Sequence, residues 1–296
     1  MRVLGQLWRR QRLGLVGLAV LIAMIVAALV APLVLQSAYS INSLDRLQPP
    51  SSGHWLGTDN YGRDVLARVV LAGRVSFLLG AVVTLISTVV GTGLGLLAGY
   101  YRRLDGPLMR LMDGMMAFPE LVQAIALVAV MGPGLRSEIV ALSVVYTPRL
   151  ARVARSSTLQ LQRAEFVEAA VAGGVPVPRI LLDHVLPNAL SPIVVQASFF
   201  FARALLSDAA LSFLGLGVSP PTPTWGNMIA DAREFIVSAP SFIVFPGIAI
   251  AVAVMALNVA GDALRDLLDP YRITTGVNEA PLMDPDEELA GRTGGV

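Results

Sequence analysis

The chain has 296 residues, of which 55% are hydrophobic and 15% are charged, and its formal net charge at pH 7 is +1. Soluble domains carry about 25% charged residues, so this composition excludes an ordinary soluble domain and indicates a membrane protein. The small net charge argues neither for nor against nucleic-acid binding, and no basic cluster with interleaved aromatic residues predicts it.

Three long apolar runs, 13–35, 75–101 and 235–261, predict membrane-spanning helices. At about 1.5 Å per residue, each is long enough to cross a hydrocarbon core of roughly 30 Å. Lipid offers the backbone no hydrogen-bonding partner, so runs of this length must be helical. The sequence therefore predicts an all-α membrane protein with six transmembrane helices. The other three candidates contain charge or proline and lie at about 109–131, 137–155 and 190–215.

Arginine placement predicts the orientation, because basic residues near the ends of spans tend to stay in the cytoplasm. With the N-terminus inside, 15 of the 22 arginines fall in cytoplasmic segments, and both termini are cytoplasmic. The first apolar run is longer than the about 7–15 residues of a cleavable signal peptide, which favours an uncleaved span. The predicted divisions are a cytoplasmic N-terminus 1–12, a first helix 13–35, an extracytoplasmic segment 36–74, a five-helix core 75–270 and an acidic, disordered tail 271–296.

The extracytoplasmic segment contains the stretch HWLGTDNYGRDV at 54–65. Its glycines and short polar residues predict a tight loop before the second helix. Two interpretations stay open: a structured connector, or a loop that gates the outer face. The candidate gate residues are Gly57, Thr58, Asp59, Gly62, Arg63 and Asp64.

In the second helix, Gly91, Gly95 and Gly99 recur every four residues. Such a stripe lets the backbone of a neighbouring helix approach closely, so it predicts helix packing rather than ligand binding. Ser87 and Thr88 nearby can add hydrogen bonds between helices.

The third predicted span contains Asp113 and Glu120, with Pro119 expected to kink the helix between them. A charge at the centre of a span costs at least about 2.5 kcal/mol on insertion scales, so it should face a partner or a water-filled path. Two interpretations of Glu120 stay open. It either lines a translocation path or lies close enough to the cytoplasmic interface to be solvated.

In the fifth span, Arg203 and Asp208 are five residues apart, whereas three or four is the better spacing for a pair within one helix. Either can pair across helices instead, and the two stabilise the fold or contact substrate. Trp225, in the irregular loop that follows, is expected at the membrane interface.

The most informative segment is 164–188, a soluble-looking stretch between apolar runs on the predicted cytoplasmic side. Two short helices broken at Gly173-Gly174 would form a knob that projects into water and docks on another protein. The candidate docking residues are Glu168, Ala169, Ala170, Gly174, His184, Leu186 and Pro187.

Few residues point to catalysis. All 22 basic residues are arginine, so a lysine-containing phosphate-binding loop is excluded and any ATP must be bound by another chain. With no cysteine, and with His54 and His184 on opposite sides of the predicted membrane, no metal site is expected. A membrane enzyme and a channel are the alternatives from other classes, but no HExxH motif, filter segment or internal repeat supports an enzyme, a channel or a secondary transporter. A permease driven by a separate motor remains.

Several segments resemble one family. The EAA triplet at 168–170, with Gly174 and the Leu-Pro pair at 186–187, resembles the EAA loop of the membrane subunits of bacterial ABC importers. The segment 54–76 resembles the outer segment of the C-type (DppC/OppC-like) subunits of dipeptide and oligopeptide permeases. The stretches ALSFLGLG, PPTP and WG within 210–226 resemble the same subunits, and so do GD, LRD and DP within 261–270. The match covers roughly residues 1–272.

Three positions depart from the family pattern without breaking the mechanism. Asp208 stands where glutamate is usual, Trp55 where proline is usual, and Gly173 where a larger apolar residue is usual.

That resemblance implies a type I ABC importer permease of MetI-like fold in the bacterial cytoplasmic (inner) membrane. The implied partners, besides lipid, are a second homologous (DppB/OppB-like) permease, two ATP-binding subunits and an extracytoplasmic substrate-binding protein, with no nucleic acid. ATP and Mg²⁺ would be bound by the partner ATPases, whereas this chain would bind no cofactor and catalyse nothing. The implied substrate is a dipeptide or oligopeptide, with nickel chelates, glutathione or haem as alternatives.

The resemblance also assigns parts to the EAA loop. Glu168 would accept charge-assisted hydrogen bonds from an ATPase, Ala169 and Ala170 would allow close packing on it, and Gly174 would make the turn.

Overall fold

The computed structural model describes residues 2–34 and 38–268, with side chains from Arg12 onward except that of Val34. These residues form helices joined by turns and one long connector, and the only extended pairing among them is an isolated bridge between Thr58 and Asp64. The all-α prediction is confirmed for this part of the chain, and the predicted tail 271–296 lies outside it. The helices are α1 Arg2–Val34, α2 Val65–Tyr100, α3 Arg102–Met116, α4 Glu120–Met131, α5 Leu135–Leu161, α6 Glu165–Ala172, α7 Val177–Arg179, α8 Leu186–Phe213, α9 Trp225–Ala232 and α10 Pro240–Leu268.

Within the described residues, four helical segments are long and apolar enough to cross a membrane. The pair α3–α4 makes a fifth if it counts as one broken span. The helix α5 has 27 residues, about 40 Å at 1.5 Å per residue, so it has the length but not the apolar composition. The four segments are Arg12–Leu33, Val65–Tyr100, Val177–Phe213 and Pro240–Leu268.

The predicted third span is broken rather than kinked. α3 ends at Met116, α4 begins at Glu120, and the chain bends by 91° at the break. Pro119 precedes the first residue of α4 and has no N–H to continue the hydrogen bonding of α3, and its ring disfavours a helical Phe118. The sequence located the break, and the structure shows that it separates two helices.

α2 packs most extensively on α5, and the glycine stripe explains why. A Cβ on Gly95 would lie only 2.4 Å from the carbonyl oxygen of Ala151, so a larger residue would hold the two backbones apart. The Ser87 hydroxyl also contacts the Ser143 carbonyl oxygen, at 3.3 Å. The predicted close packing and the hydrogen bond from Ser87 are confirmed, whereas the Thr88 hydroxyl has no hydrogen-bond partner among the described residues.

The two ends of the bundle differ in what packs there. At one end, Val167 and Ile180 cluster with Leu96, near the C-terminus of α2. At the other end, Val65 at the start of α2 belongs to a cluster with Phe242 at the start of α10. Since α2 has 36 residues, about 54 Å of helix, the segment 164–188 and the connector before α2 lie at opposite ends of the bundle.

Trp225 belongs to the core rather than to a membrane interface. Its side chain is buried, its Nε1 donates a hydrogen bond to the Val69 carbonyl oxygen at 2.8 Å, and its ring meets that of Phe77 edge to face. The prediction of an interfacial anchor is wrong, because the loop after α8 folds back and packs α9 against α2, α8 and α10.

Candidate functional site

The break in the segment 164–188, called the hairpin from here on, is a well-formed helix-ending turn. Gly174 has a φ of +75°, a left-handed conformation that disfavours residues with a Cβ. Its amide donates to the Val171 carbonyl oxygen at 3.0 Å, and the Val175 amide donates to that of Ala170 at 3.1 Å. These two bonds form a Schellman motif, which gives the chain a defined direction as it leaves α6.

α6 is attached to the ends of three long helices. Its buried side chain, Val167, packs in one cluster with Leu96 of α2, and Leu186 at the start of α8 packs against the same cluster. Gln162, directly after α5, donates from Nε2 to the Gly99 carbonyl oxygen of α2 at 3.0 Å. A displacement of α6 therefore acts directly on α2, α5 and α8.

The opposite face of α6 is open. Glu168 and Ala169 are exposed on it, and the apolar side chains of Phe166 and Val171 are exposed at the flanks, nearer to Val167. Glu168 has no ion-pair partner in the described part of the chain. An exposed apolar surface beside an unpaired carboxylate is typical of a protein-binding face. Of the other predicted docking residues, Gly174 and Pro187 are exposed, whereas Ala170, His184 and Leu186 are half-buried.

A row of ion pairs joins α3 to α5. Asp113 contacts Arg152 at 2.6 Å, and Asp105 contacts Arg155, also at 2.6 Å between Oδ2 and a terminal guanidinium nitrogen. With Arg149, these arginines recur every three residues and share one face of α5. This pairing holds the amphipathic α3 against the bundle.

Glu120 joins three helices at the end of this row. Its carboxylate lies 2.8 Å from a terminal guanidinium nitrogen of Arg149 on α5. Both of its oxygens also lie 3.3 Å from one such nitrogen of Arg203 on α8. Arg203 thus pairs across helices, which the sequence allowed, and Glu120 has the partners that a charge at membrane depth requires.

Asp208 lies apart from this row, in a buried polar site. Its carboxylate accepts hydrogen bonds from the hydroxyls of Ser76 and Ser212, at 3.4 and 3.3 Å, and the Trp225 amide donates to the Ser76 oxygen. The buried carboxyl group of Glu138 lies beside it, and within the described residues neither acid forms an ion pair with a basic side chain. The site links α2, α5, α8 and α9, which supports the fold-stabilising alternative for Asp208.

The connector loop before α2 is held by buried polar contacts. Asp59 is fully buried, and its Oδ2 lies 2.6 Å from Nε of Arg63 and 3.4 Å from Nε of Arg68. Thr58 accepts a hydrogen bond from the Gln48 amide, and Asp64 caps α2. This geometry is that of a structured connector, and a gating role stays a prediction. The remaining candidate gate residues, Gly57 and Gly62, have φ values of +79° and +74°.

Of the predicted pathway residues, only Glu120 and Arg203 come into contact. Sequence reasoning missed the arginine face of α5, because it treated those arginines only as topology markers. Their three-residue spacing was the available signal. It also missed Glu138, because nothing in the sequence indicates that Glu138 lies beside Asp208 of α8.

Two family models match the amino-acid sequence. Residues 91–273 match the binding-protein-dependent transport system inner membrane component. Residues 6–50 match the N-terminal TM domain of oligopeptide transport permease C. The first match includes the hairpin, the ion-pair row and the buried acids.

Several proteins named as transport permeases are similar to this chain over most of their length. The dipeptide transport system permease protein DppC of Alkalihalophilus pseudofirmus is 44% identical over 88% of this chain and 87% of that protein. A putative peptide transport system permease protein of Brucella suis is 43% identical over 88% of each chain. The glutathione transport system permease protein GsiD of Pectobacterium atrosepticum is 41% identical over 90% of each chain.

A solved structure supports the fold. A chain of the MetNI methionine ABC transporter, in an inward-facing conformation, superposes with a TM-score of 0.58 over 69% of this chain and 97% of its own length. The two sequences are 17% identical, so the likeness bears on the fold alone. It agrees with the predicted MetI-like fold.

Proposed function

The chain belongs to the inner membrane components of binding-protein-dependent transport systems, and from that premise we propose that it is one of two permease subunits in an ATP-driven importer of small peptides. It encloses half of the translocation pathway and transmits force from separate ATPases. It is a non-catalytic subunit of the assembly.

The observation that carries this proposal is the geometry of the hairpin. The exposed face of α6 docks on an ATP-binding subunit, with Glu168 accepting hydrogen bonds and the exposed apolar Phe166 and Val171 adding contacts at the flanks of the helix. The buried face is attached to α2, α5 and α8. Closure of the ATPases then moves these helices as a group, a rigid-body route for switching between inward-open and outward-open states.

The proposed partners are a second homologous permease, two ATP-binding subunits and an extracytoplasmic substrate-binding protein. The family description supports the binding protein. The absence of lysine supports the placement of ATP and Mg²⁺ on other chains, since a lysine-containing phosphate-binding loop is impossible here.

The proposed topology has six crossings, made by α1, α2, α4, α5, α8 and α10, with both termini in the cytoplasm. α4 has 12 residues, about 18 Å, and is shorter than the hydrocarbon layer. Even so, α3 begins at the hairpin end of α2, and α5 runs back to that end, so the chain must cover the intervening distance over α3 and α4. That path supports a crossing by the broken pair.

The proposed substrates are small peptides. The relatives named for dipeptide, peptide and glutathione transport support this class, because glutathione is itself a modified tripeptide. Nothing in the described residues favours the nickel chelates or haem that the family resemblance also allows.

The docking role is tested by Glu168→Lys and Gly174→Val in the complete transporter, reconstituted in vesicles with its binding protein. The first reverses the exposed charge. The second forces a branched residue into φ +75°, which costs about 1–2 kcal/mol and redirects the turn. Both variants should insert normally into the membrane. The amount of peptide taken up per ATP hydrolysed should fall at least tenfold in each.

Asp183→Lys is the matched control, because it reverses an exposed charge in the hairpin outside α6. It should transport as the wild type does. Wild-type coupling in both Glu168→Lys and Gly174→Val would contradict the docking role.

A further inference from the structure

The ion pairs that α5 and α8 make with the preceding helices do not balance in charge. The two acidic residues on α3 each have an arginine of their own. Glu120 is instead shared by Arg149 and Arg203. No other carboxylate in the described part of the chain contacts either arginine, so the Glu120 cluster, made of these three residues, carries one excess positive charge.

This excess charge lies at membrane depth. Arg203 is ten residues before the end of α8 at Phe213, which is about 15 Å of helix. α8 belongs to a segment long and apolar enough to cross a membrane. Arg203 therefore lies near the middle of a hydrocarbon layer of roughly 30 Å.

The Glu120 cluster is open to the surroundings of the chain. The side chains of Glu120, Arg149 and Arg203 are 39%, 38% and 50% exposed. Charged groups at this depth face a water-filled cavity or another protein surface, since contact with lipid costs about 2.5–3.5 kcal/mol for an arginine at a helix centre. A water-filled pathway next to the second permease of the proposed importer would meet this requirement.

Of the two arginines, Arg203 is held less closely. Arg149 approaches Glu120 to 2.8 Å, whereas Arg203 reaches it at 3.3 Å through a single nitrogen. A guanidinium carries five N–H donors in a planar fork that matches a carboxylate, so Arg203 keeps donors for a second anion. The hydroxyls of Tyr146 and Ser207, 2.8 Å apart, lie near the cluster and add hydrogen-bonding groups.

We propose that the Glu120 cluster is a carboxylate-binding site in the translocation pathway, at which Arg203 exchanges Glu120 for the C-terminal carboxylate of the passing peptide. The inference rests on the proposed function, since it assigns a substrate group to the pathway of that importer. Glu120 keeps Arg203 paired when no substrate is present, and the excess charge provides the attraction when one arrives.

The test compares uptake of radiolabelled alanyl-alanine with that of its C-terminal amide, each preloaded on the binding protein, in vesicles that contain the complete transporter. Arg203→Gln should lower the ratio of acid uptake to amide uptake about tenfold or more, because only the free acid offers a carboxylate to Arg203. A loss of that size is expected when one charge-assisted pair is removed. Arg203→Lys, which keeps the charge without the planar fork, should retain an intermediate rate.

Arg155→Gln is the control, because Arg155 has its own carboxylate, Asp105. It should leave the acid-to-amide uptake ratio as in the wild type. If Arg203→Gln lowered the uptake of the acid and of the amide equally, the proposed carboxylate site would be wrong. Unchanged uptake of the acid would also contradict it. Loss of the second permease from the purified Arg203→Gln complex would show instead that a partner carboxylate neutralises the charge. If the wild type transports neither peptide, it is the proposed function that fails.

Discussion

The side chain of Asp231 is partly buried. It lies on α9, outside the segments able to cross a membrane, near Arg63, Arg68 and Asp59. Loss of water on burial raises the pKa of Asp231 above its ordinary value, and the positive charges of Arg68 and Arg63 only partly oppose this rise. Its stabilising contribution is therefore fully present below the unfolded-state pKa and is lost as pH rises through the higher folded-state pKa.

Asp231→Asn should raise the midpoint temperature for unfolding of the purified complex at neutral pH, because it removes a charge that the fold disfavours. The gain should shrink as the pH is lowered, since the wild-type carboxyl, with its raised pKa, then takes up its proton before an ordinary aspartate does. Thermal unfolding at several pH values, followed by tryptophan fluorescence, measures both effects.

Glu234→Gln provides the comparison, because it removes the same charge from an exposed position near the end of α9. It should show little gain at any pH. A wild type as stable as Asp231→Asn at neutral pH would contradict the argument from burial.

The contact between α2 and α5 depends on glycine at one helical face. At Gly95 even a methyl group would lie 2.4 Å from the Ala151 carbonyl oxygen and 2.5 Å from the Ala154 Cβ. The nearest of these atoms belongs to the backbone, so the two helices must separate to relieve the clash. Gly95→Ala should destabilise the complex by about 1–3 kcal/mol and lower its yield in fluorescence-detected gel filtration.

Gly93→Ala is the matched control on the same helix. Gly93 is exposed, and a Cβ there would meet nothing within 4 Å. Alanine should be neutral or stabilise α2 by up to about 1 kcal/mol through its higher helix propensity. If Gly95→Ala were as stable as Gly93→Ala, the contact between α2 and α5 would not depend on the glycine stripe.

The elements that could be predicted from the sequence depend on local pattern. The glycine stripe of α2 needs only residue size at a fixed spacing, and the break at Gly173-Gly174 needs only a residue that accepts a positive φ. Long apolar runs likewise predicted the cores of α1, α2 and α10, although α2 begins at Val65, ten residues before its run. Asp64 and the connector set that start, because they cap the helix.

The features that could not be predicted depend on tertiary partners. Pro119 predicted a kink, but the 91° bend between two separate helices depends on how α3 and α4 pack against α5. Arg203 and Asp208 are close in sequence, yet one contacts Glu120 across the bundle and the other joins two serines. Trp225 was misplaced for the same reason, since its pocket exists only after the loop folds back.

For the whole molecule, the two ends of the bundle decide the topology. The connector packs at the start of α2, and the hairpin packs near its end. If α2 crosses the membrane, these two regions face opposite compartments, whatever α4 does. Whether the pair α3–α4 crosses the membrane then determines which side of the membrane the turn at 132–134 lies on.

Single cysteines provide a direct test, because the chain has none of its own. Ser52→Cys in the connector should react with a membrane-impermeant maleimide in intact spheroplasts, and Ala172→Cys in the hairpin should react only after permeabilisation. Both positions are exposed, so access rather than burial determines labelling.

Pro133→Cys, in the turn between α4 and α5, distinguishes six crossings from fewer. α5 is about 40 Å long and ends at the hairpin, so its start lies toward the connector end. Pro133→Cys should therefore label from outside, together with Ser52→Cys. Labelling of Pro133→Cys only after permeabilisation would mean that α3–α4 is re-entrant and that the six-helix topology is wrong.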